Sequence, residues 1–171
     1  MLCCDEDERR RRRPRRDLRP VREDGWHWDS VSPQNVSLHI LRQGPGGPEV
    51  YLVRENDGTW GPPGGGIDTG ESIWDALKRE FEEETRDGRQ VYRLPRLSGI
   101  RKYVYHGHTA VVAAWTQDGV PLGPPPPYHG ARHQEILDRR WVPVFEVRAG
   151  GVELRAAAQT SMPALLDDLG L

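Results

Sequence analysis

Two periods of hydrophobicity alternate along this chain, and they separate predicted strands from predicted helices. Residues 36–41 alternate between apolar and polar positions, residues 49–53 are mostly apolar, and the segment between them holds three glycines and two prolines. This combination predicts a β-hairpin. Three further short runs are predicted to be strands: residues 91–94, 100–105 and 109–115.

A helical period begins after Ser72, which has the spacing of an N-terminal capping box with Asp75. Three apolar residues then recur three and four positions apart on one face: Ile73, Ala76 and Leu77. Residues 162–169 predict a second, closing helix. Mixed strands with two helices predict an α/β protein, folded as an α/β/α sandwich around a mixed β-sheet.

The inward face of the first helix becomes acidic in its second half. The stripe that starts with apolar residues continues through Glu80, Glu83 and Glu84. Carboxylates crowded on one partly buried face repel one another and lose hydration, which is costly unless hard cations neutralise them. The spacing therefore predicts a divalent-metal site on this helix.

The glycine-rich loop and the helix together resemble the signature of Nudix hydrolases. That signature is a glycine, five residues, a glutamate, seven residues, and then arginine, glutamate, an apolar residue, any residue and two glutamates. The matching positions in this chain are Gly65, Glu71, Arg79, Glu80, Phe81, Glu83 and Glu84. The motif covers residues 60–88, and the pattern around it extends the resemblance from about residue 33 to the C-terminus. The resemblance implies a Nudix-like α/β/α sandwich.

The resemblance also implies which residues hold the metal, with Mg²⁺ as the expected cofactor and Mn²⁺ as an alternative. Glu80, Glu83 and Glu84 would be ligands, and Gly65 would offer its backbone carbonyl. Glu80 is the preferred general base, with Glu83 as the second catalytic candidate. Glu135 would be a more distant ligand or base, and the alternative for it is an exposed loop acid.

Two pairs of residues are expected to act around the metal site. Glu71 and Arg79 would give structural support, because an arginine fork can hold carboxylates in place. Tyr103 and Tyr105 are candidates for substrate binding, since both could stack on a base, and Tyr105 lies near the distance from the motif at which relatives that act on dinucleoside polyphosphates often carry a tyrosine. Packing in the core is the alternative for both tyrosines.

One position departs from the family pattern. Relatives usually carry a glycine two residues after the last glutamate, where this chain has Arg86, and its next glycine is Gly88. We expect the helix to run half a turn longer and to end at Gly88 as a C-cap.

These features predict a Mg²⁺-dependent hydrolase that cleaves a phosphoanhydride bond in a nucleoside diphosphate linked to another moiety. Nucleoside triphosphates, dinucleoside polyphosphates, nucleotide sugars and capped RNA 5′ ends all fit this description. One alternative is therefore an mRNA-cap or RNA 5′-end pyrophosphohydrolase. A second is a non-catalytic nucleotide-binding or regulatory module, although such a module has no need to bury three acids.

Charge is spread unevenly over the 171 residues, whose formal net charge is −2. Residues 1–22 hold nine arginines against five acidic residues, which leaves 15 basic and 21 acidic residues in the remainder. We predict that residues 1–30 form a disordered arginine-rich tail and that residues 31–171 form the Nudix hydrolase domain. The tail is a candidate RNA-binding arm, and a solvated leader is the alternative.

Composition also bounds where the protein works. No run of apolar residues approaches the length of a membrane span, and the N-terminus lacks the apolar core of a secretory signal. The two cysteines are adjacent, at positions 3 and 4, where bonding to each other is unfavourable. We expect a cytoplasmic protein without a membrane partner, acting on a nucleotide-derived small molecule.

Overall fold

The computed structural model of this protein describes residues 18–21, 33–105, 109–126 and 135–171. In these residues eight strands form one sheet: β1 (Leu18–Val21), β2 (Asn35–Gly44), β3 (Gly47–Glu55), β4 (Trp60–Gly61), β5 (Gly64–Gly66), β6 (Ser98–Tyr105), β7 (Thr109–Trp115) and β8 (Ile136–Pro143). Three helices accompany them: α1 (Ile73–Glu84), α2 (Val144–Arg148) and α3 (Ala156–Asp168).

The sheet is mixed, as predicted. Its strand order is β1-β6-β7-β2-β3-β4, with β5 paired to β2 and β8 paired to β3. Strands β2 and β7 run parallel, and the other pairs are antiparallel. Strands β2 and β3 form the predicted hairpin.

The two hairpin strands pair only near their turn and then separate. Their register runs from Gly44 opposite Gly47 to Leu41 opposite Val50. Farther from the turn, β5 pairs with the start of β2, and β4 pairs with the end of β3. The separation places residues 60–66 between the two central strands, where their loop can meet helix α1.

Helices cover both faces of the sheet, which confirms the predicted α/β/α sandwich. On one face, apolar residues of α1 pack against alternate residues of the central strands: Ala76, Leu77 and Phe81 with Val36, Leu38 and Ile40. On the other face, Met162, Leu165 and Leu166 of α3 pack against Leu41 and Val111. Buried strands with two covered faces need apolar residues at successive positions, and β7 is buried throughout its five middle residues.

Several predicted boundaries were wrong. Residues 91–94 form no strand, and the hydroxyl of Tyr92 in this segment donates to Asp87. Helix α3 starts at Ala156, six residues before the predicted start, and runs through Pro163.

The end of α1 is another correction. The helix ends at Glu84 with Thr85 as its C-cap, so the expected extension to Gly88 is wrong. Gly88, with φ +59°, lies in a tight turn in which Asp87 and Gln90 exchange backbone hydrogen bonds. The side chain of Arg139 in β8 meets the helix end at Thr85 instead.

Part of the predicted tail belongs to the sheet. Residues Leu18–Val21 form β1 and pair with β6, and the rest of residues 1–30 lies outside the described residues. Among the helices of the described segments, none is both long and apolar enough to cross a membrane.

Candidate active site

The glycine-rich loop packs closely against strand β2 on one side and against the Glu80 side chain of helix α1 on the other. Gly64 lies against β2 so tightly that a Cβ there would overlap the carbonyl oxygen of Val36. Gly65 lies against the end of the Glu80 side chain, where a Cβ would be 2.6 Å from the carboxyl carbon. At Gly64 the overlapping atoms belong to the backbone, which explains glycine there, whereas a side chain at position 65 would displace the Glu80 carboxylate.

Helix α1 carries the carboxylates to this loop. Ser72 caps its N-terminus by accepting a hydrogen bond from the backbone N–H of Asp75 at 3.1 Å. The apolar stripe then fixes the rotation of the helix on the sheet. Because the stripe continues as acids, the last two turns point Glu80, Glu83 and Glu84 into the space beside the glycine loop.

These acids line a cleft of about 500 Å³. Five glutamates border it: Glu55, Glu80, Glu83, Glu84 and Glu135. The structure thus brings together all the residues predicted to hold the metal, with Gly65 beside them. Glu55 and the adjoining Asn56 were not predicted, because they stand in a polar segment that reads as the turn after β3.

Burial outweighs the nearby positive charges at two of these acids, Glu80 and Glu84. Glu84 accepts a hydrogen bond from the backbone N–H of Gly64 at 3.1 Å, yet burial raises its pKa to about 8. Burial also raises the pKa of Glu80, although Arg79 opposes this change. A buried carboxylate is stabilised by a nearby cation. The cleft therefore has the electrostatics of a cation-binding site.

Arg79 ties the loop to the helix through a hydrogen-bonded fork. Its Nε and Nη2 donate to the two carboxylate oxygens of Glu71, each at 2.9 Å. Nη2 also donates to the carbonyl oxygen of Gly66 at 2.8 Å, and Nη1 donates to Glu80 Oε1 at 2.7 Å. Hydrogen bonds from Arg79 and from the backbone N–H of Asp68 lower the pKa of Glu71. This geometry agrees with the support expected of Glu71 and Arg79.

The donor set fits a hard divalent cation. Carboxylate oxygens are the ligands that Mg²⁺ and Mn²⁺ prefer, and the cleft holds five carboxylates. Among the described residues, no group of three acidic, histidine or cysteine side chains is arranged to hold an ion by itself. Mg²⁺ commonly uses only one or two carboxylates and completes its shell with water and substrate phosphates. The residues therefore suit a metal that arrives with, or bridges to, a phosphate.

A second cavity of about 440 Å³ adjoins the acidic cleft on the α3 side of the sheet. The two share Glu55, Gly64 and Gly65. The remaining wall is mainly small or uncharged: Asn35, Val36, Ser37, Pro62, Thr109, Val111, Ala157, Ala158 and Ser161. Arg155 lines it as well and donates hydrogen bonds to Glu55 and to the carbonyl oxygen of Pro62.

The two tyrosines predicted to bind substrate have different outcomes. Tyr103 lines neither cavity: its side chain is buried against α3, and its hydroxyl donates to Asp168. This position agrees with the alternative of core packing, and substrate binding by Tyr103 stays a prediction. The backbone of Tyr105 ends β6, and its side chain lies outside the part that the structure describes.

Comparisons with known proteins give a matching family model and solved structures of similar fold. A family model described as the NUDIX domain matches residues 33–165. The fold is similar to a Nudix hydrolase from M. smegmatis, RenU, at 19% identity and a TM-score of 0.52, over 81% of this chain and 86% of that one. The chain is also similar to a C. elegans Ap4A hydrolase, at 19% identity and a TM-score of 0.47, over 81% of this chain and 99% of that one. A third similar structure is the NUDIX domain of Shewanella oneidensis NrtR complexed with ADP ribose, at 15% identity and a TM-score of 0.48, over 87% of this chain and 99% of that one. A search of curated proteins found no match.

Proposed function

The chain belongs to the Nudix family of hydrolases acting on acid anhydrides, and from this premise we propose that it is a Mg²⁺-dependent enzyme cleaving a nucleoside diphosphate linked to another moiety. Mn²⁺ is the alternative metal. The observation that carries the proposal is the acidic cleft, in which buried carboxylates meet a glycine loop beside a cavity lined mainly by small or uncharged residues. A cytoplasmic location stays a prediction from the sequence.

Each residue at the cleft has a proposed role. Glu80, Glu83, Glu84 and the carbonyl of Gly65 would hold metal, and Glu135 would be a further ligand or base. When bound, the metal neutralises phosphate charge and lowers the pKa of a coordinated water. Glu80 accepts from Arg79 through Oε1, which leaves Oε2 for a metal or for the proton of the attacking water. Glu83 is the second candidate base.

The arrangement of the two cavities supports a substrate with two chemically different parts. The diphosphate suits the acidic cleft, since metal ions can bridge the two sets of negative charge. The linked moiety suits the neighbouring cavity, whose amide and hydroxyl groups can form hydrogen bonds and whose apolar wall excludes water. The diphosphate and the linked moiety would then lie on opposite sides of Gly64 and Gly65, which line both cavities.

A capped or triphosphorylated RNA 5′ end is a second candidate substrate. One structural observation favours it: the paired residues Leu18, Tyr105, Thr109 and Asn35 form one row across the sheet, and Thr109 and Asn35 line the second cavity, so β1 connects the arginine-rich segment to this row. A non-catalytic module is disfavoured, because a module without metal chemistry has no need to bury acids such as Glu84.

The decisive experiment measures turnover and metal binding together. Purified protein with Mg²⁺ is assayed against nucleoside triphosphates, dinucleoside polyphosphates, nucleotide sugars and RNA 5′ ends, with detection of phosphate and pyrophosphate. Glu84→Gln keeps the side-chain shape and removes one charge, so turnover and metal affinity should both fall by at least about 10- to 100-fold.

Glu82→Gln is the matched control, because Glu82 stands on the same helix and does not line the cleft. It should retain both turnover and metal affinity. Turnover that persists in excess chelator, or a Glu84→Gln variant as active as the control, would contradict the proposed metal chemistry.

A further inference from the structure

Helix α1 ends without the usual means of satisfying its last carbonyl groups. The final four carbonyls of a helix have no partner within it, and a left-handed glycine or a basic residue in the last turn commonly supplies one. Here Thr85 is the C-cap with φ −103°, its own hydroxyl donates to the carbonyl of Phe81, and the last turn has no basic residue. Arg86 stands where relatives carry glycine.

Arg139 supplies a donor to one carbonyl of the helix end from a different element. It lies in β8, is only 1% exposed, and donates from Nη1 to the carbonyl oxygen of Thr85 at 2.6 Å. Nη2 donates to Asp87 Oδ1 at 2.6 Å, and Nε donates to the carbonyl oxygen of Gly123 at 3.0 Å. Two segments distant in sequence, residues 85–87 and Gly123, therefore converge on one guanidinium.

The chemistry of this contact suits a helix terminus. A cation is stabilised at the negative end of a helix, and a buried guanidinium is stable only with a partner charge and bonded N–H groups. Asp87 gives the charge, and the two carbonyls take the remaining bonds. The planar fork can reach three acceptors at once, which the single ammonium of lysine does less well.

We propose that Arg139 is a positioning residue that replaces the glycine C-cap of the family and fixes the last turn of α1. This inference rests on the proposed function, because Glu83 and Glu84 belong to that turn and Glu84 immediately precedes Thr85. Without the guanidinium, the carbonyl of Thr85 loses a buried partner and the turn frays. The two carboxylates then spend less time in the geometry that binds metal.

Two variants and two matched controls test the proposal. Arg139→Met removes the fork and keeps an apolar stem, and Asp87→Asn removes only the partner charge, from a side chain that is not fully buried. The controls are Arg148→Met and Asp167→Asn. Arg148 pairs with Asp167 at 2.9 Å and donates to the carbonyl of Leu171, so this pair has the same chemistry at the far end of the fold.

Two readouts separate positioning from general stability. The first readout is a calorimetric titration of each protein with Mn²⁺ alone. Arg139→Met and Asp87→Asn should bind Mn²⁺ about 10-fold more weakly than the unaltered protein, and both controls should bind it with unchanged affinity. Hydrogen exchange of the metal-free proteins should show faster exchange of the Glu84 and Thr85 amides in the first two variants only. At saturating metal, turnover of Asp87→Asn should recover most of its wild-type value.

The outcomes are distinct. If Arg139→Met does not fold, Asp87→Asn decides alone. Wild-type affinity for Mn²⁺ together with wild-type exchange at the helix end in a folded variant would overturn the positioning role. Failure of the unaltered protein to bind Mn²⁺ would overturn the proposed function instead. It would also remove the expected effect of Arg139 on metal binding.

Discussion

His39 shows how one residue can make the stability of this fold depend on pH. It lies in the middle of β2 and is 1% exposed, and neither ring nitrogen has a hydrogen-bond partner among the described residues. Burial, with a smaller contribution from the Arg155 charge, lowers its pKa to about 3. The folded protein therefore keeps a neutral imidazole at pH values where an unfolded chain takes up a proton.

The first prediction follows from this difference. Between about pH 6.5 and about pH 3 the unfolded state binds more protons at this site, so the free energy of unfolding should fall as pH falls. The slope from one group is at most about 1.4 kcal/mol per pH unit. Urea titrations at pH 7 and pH 5 should show a smaller difference in His39→Leu than in the unaltered protein. Equal differences would mean that His39 titrates normally or that the core opens around it.

Some site residues could be predicted from the sequence because local spacing alone places them. Glu80, Glu83 and Glu84 follow the apolar stripe of one helix, so its rotation fixes all three. Glu55 could not be found this way, since it reaches the cleft only when β3 folds beside the glycine loop. The sequence left substrate binding and core packing open for Tyr103 for a related reason: alternation gives the two faces of a strand, but it does not say which helix will cover each face.

At the scale of elements, the short strand β5 depends on the absence of side chains. Gly64 and Gly66 are both in this strand, and neither has a positive φ, so backbone conformation does not demand glycine at either position. Their surroundings differ. A Cβ at Gly64 would overlap backbone atoms of Val36 and Ser37, whereas the nearest atom to a Cβ at Gly66 is the carbonyl oxygen of Gln34 at 4.0 Å.

The second prediction uses this pair as variant and control. Gly64→Ala should destabilise the protein by about 1–3 kcal/mol, because backbone cannot move aside as a flexible side chain can. It should also weaken metal binding, since the N–H of Gly64 donates to Glu84. Gly66→Ala should stay within about 0.5 kcal/mol of the unaltered protein. Chemical denaturation of the two variants checks this, and equal stabilities would contradict the packing argument.

Element boundaries were harder to predict than elements. The N-terminus of α1 was correct because Ser72 and Asp75 cap it locally. Its C-terminus was wrong because the group that meets it, Arg139, is 54 residues from Thr85 in sequence. The start of α3 was misplaced for a different reason: Pro163 suits a first helical turn, yet here packing of Ala158 and Ser161 keeps the helix intact before it.

At the scale of the whole molecule, the strand register connects the N-terminal segment with the active site. One row of paired residues crosses the sheet: Leu18, Tyr105, Thr109, Asn35 and Gly66. Four strand spacings separate its ends, which is about 19 Å at roughly 4.8 Å each. Leu18 is the first residue of β1, so residues 1–17 precede one end of this row, and Thr109 and Asn35, two and three strands farther along it, line the second cavity.

This connection could not be predicted from the sequence, because the charge of the N-terminal segment does not indicate that residues 18–21 pair with β6 or in which register. Seven arginines stand between positions 9 and 16, and residue 9 is nine residues before Leu18. An extended chain of that length spans up to about 30 Å. Chain length alone therefore allows the arginines farthest from Leu18, such as Arg9, to span the row as far as Gly66.

The third prediction tests whether the arginine segment acts on a long anionic substrate. Deleting residues 1–17 keeps β1, and changing the seven arginines to glutamine also keeps the chain length. If RNA is a substrate, both variants should bind it more weakly and with a shallower dependence on salt, by about 0.7 in the logarithmic slope for each lost phosphate contact to a single strand. Rates on nucleoside triphosphates and dinucleoside polyphosphates should not change, since these substrates present no phosphates beyond the cleft.

Filter binding across a salt series gives the RNA affinity and its salt dependence, and parallel turnover assays give the rates on small nucleotides. The same RNA affinity and slope in all three proteins would return the segment to a solvated leader, and equal losses on small nucleotides would mean that it contributes to the catalytic domain itself.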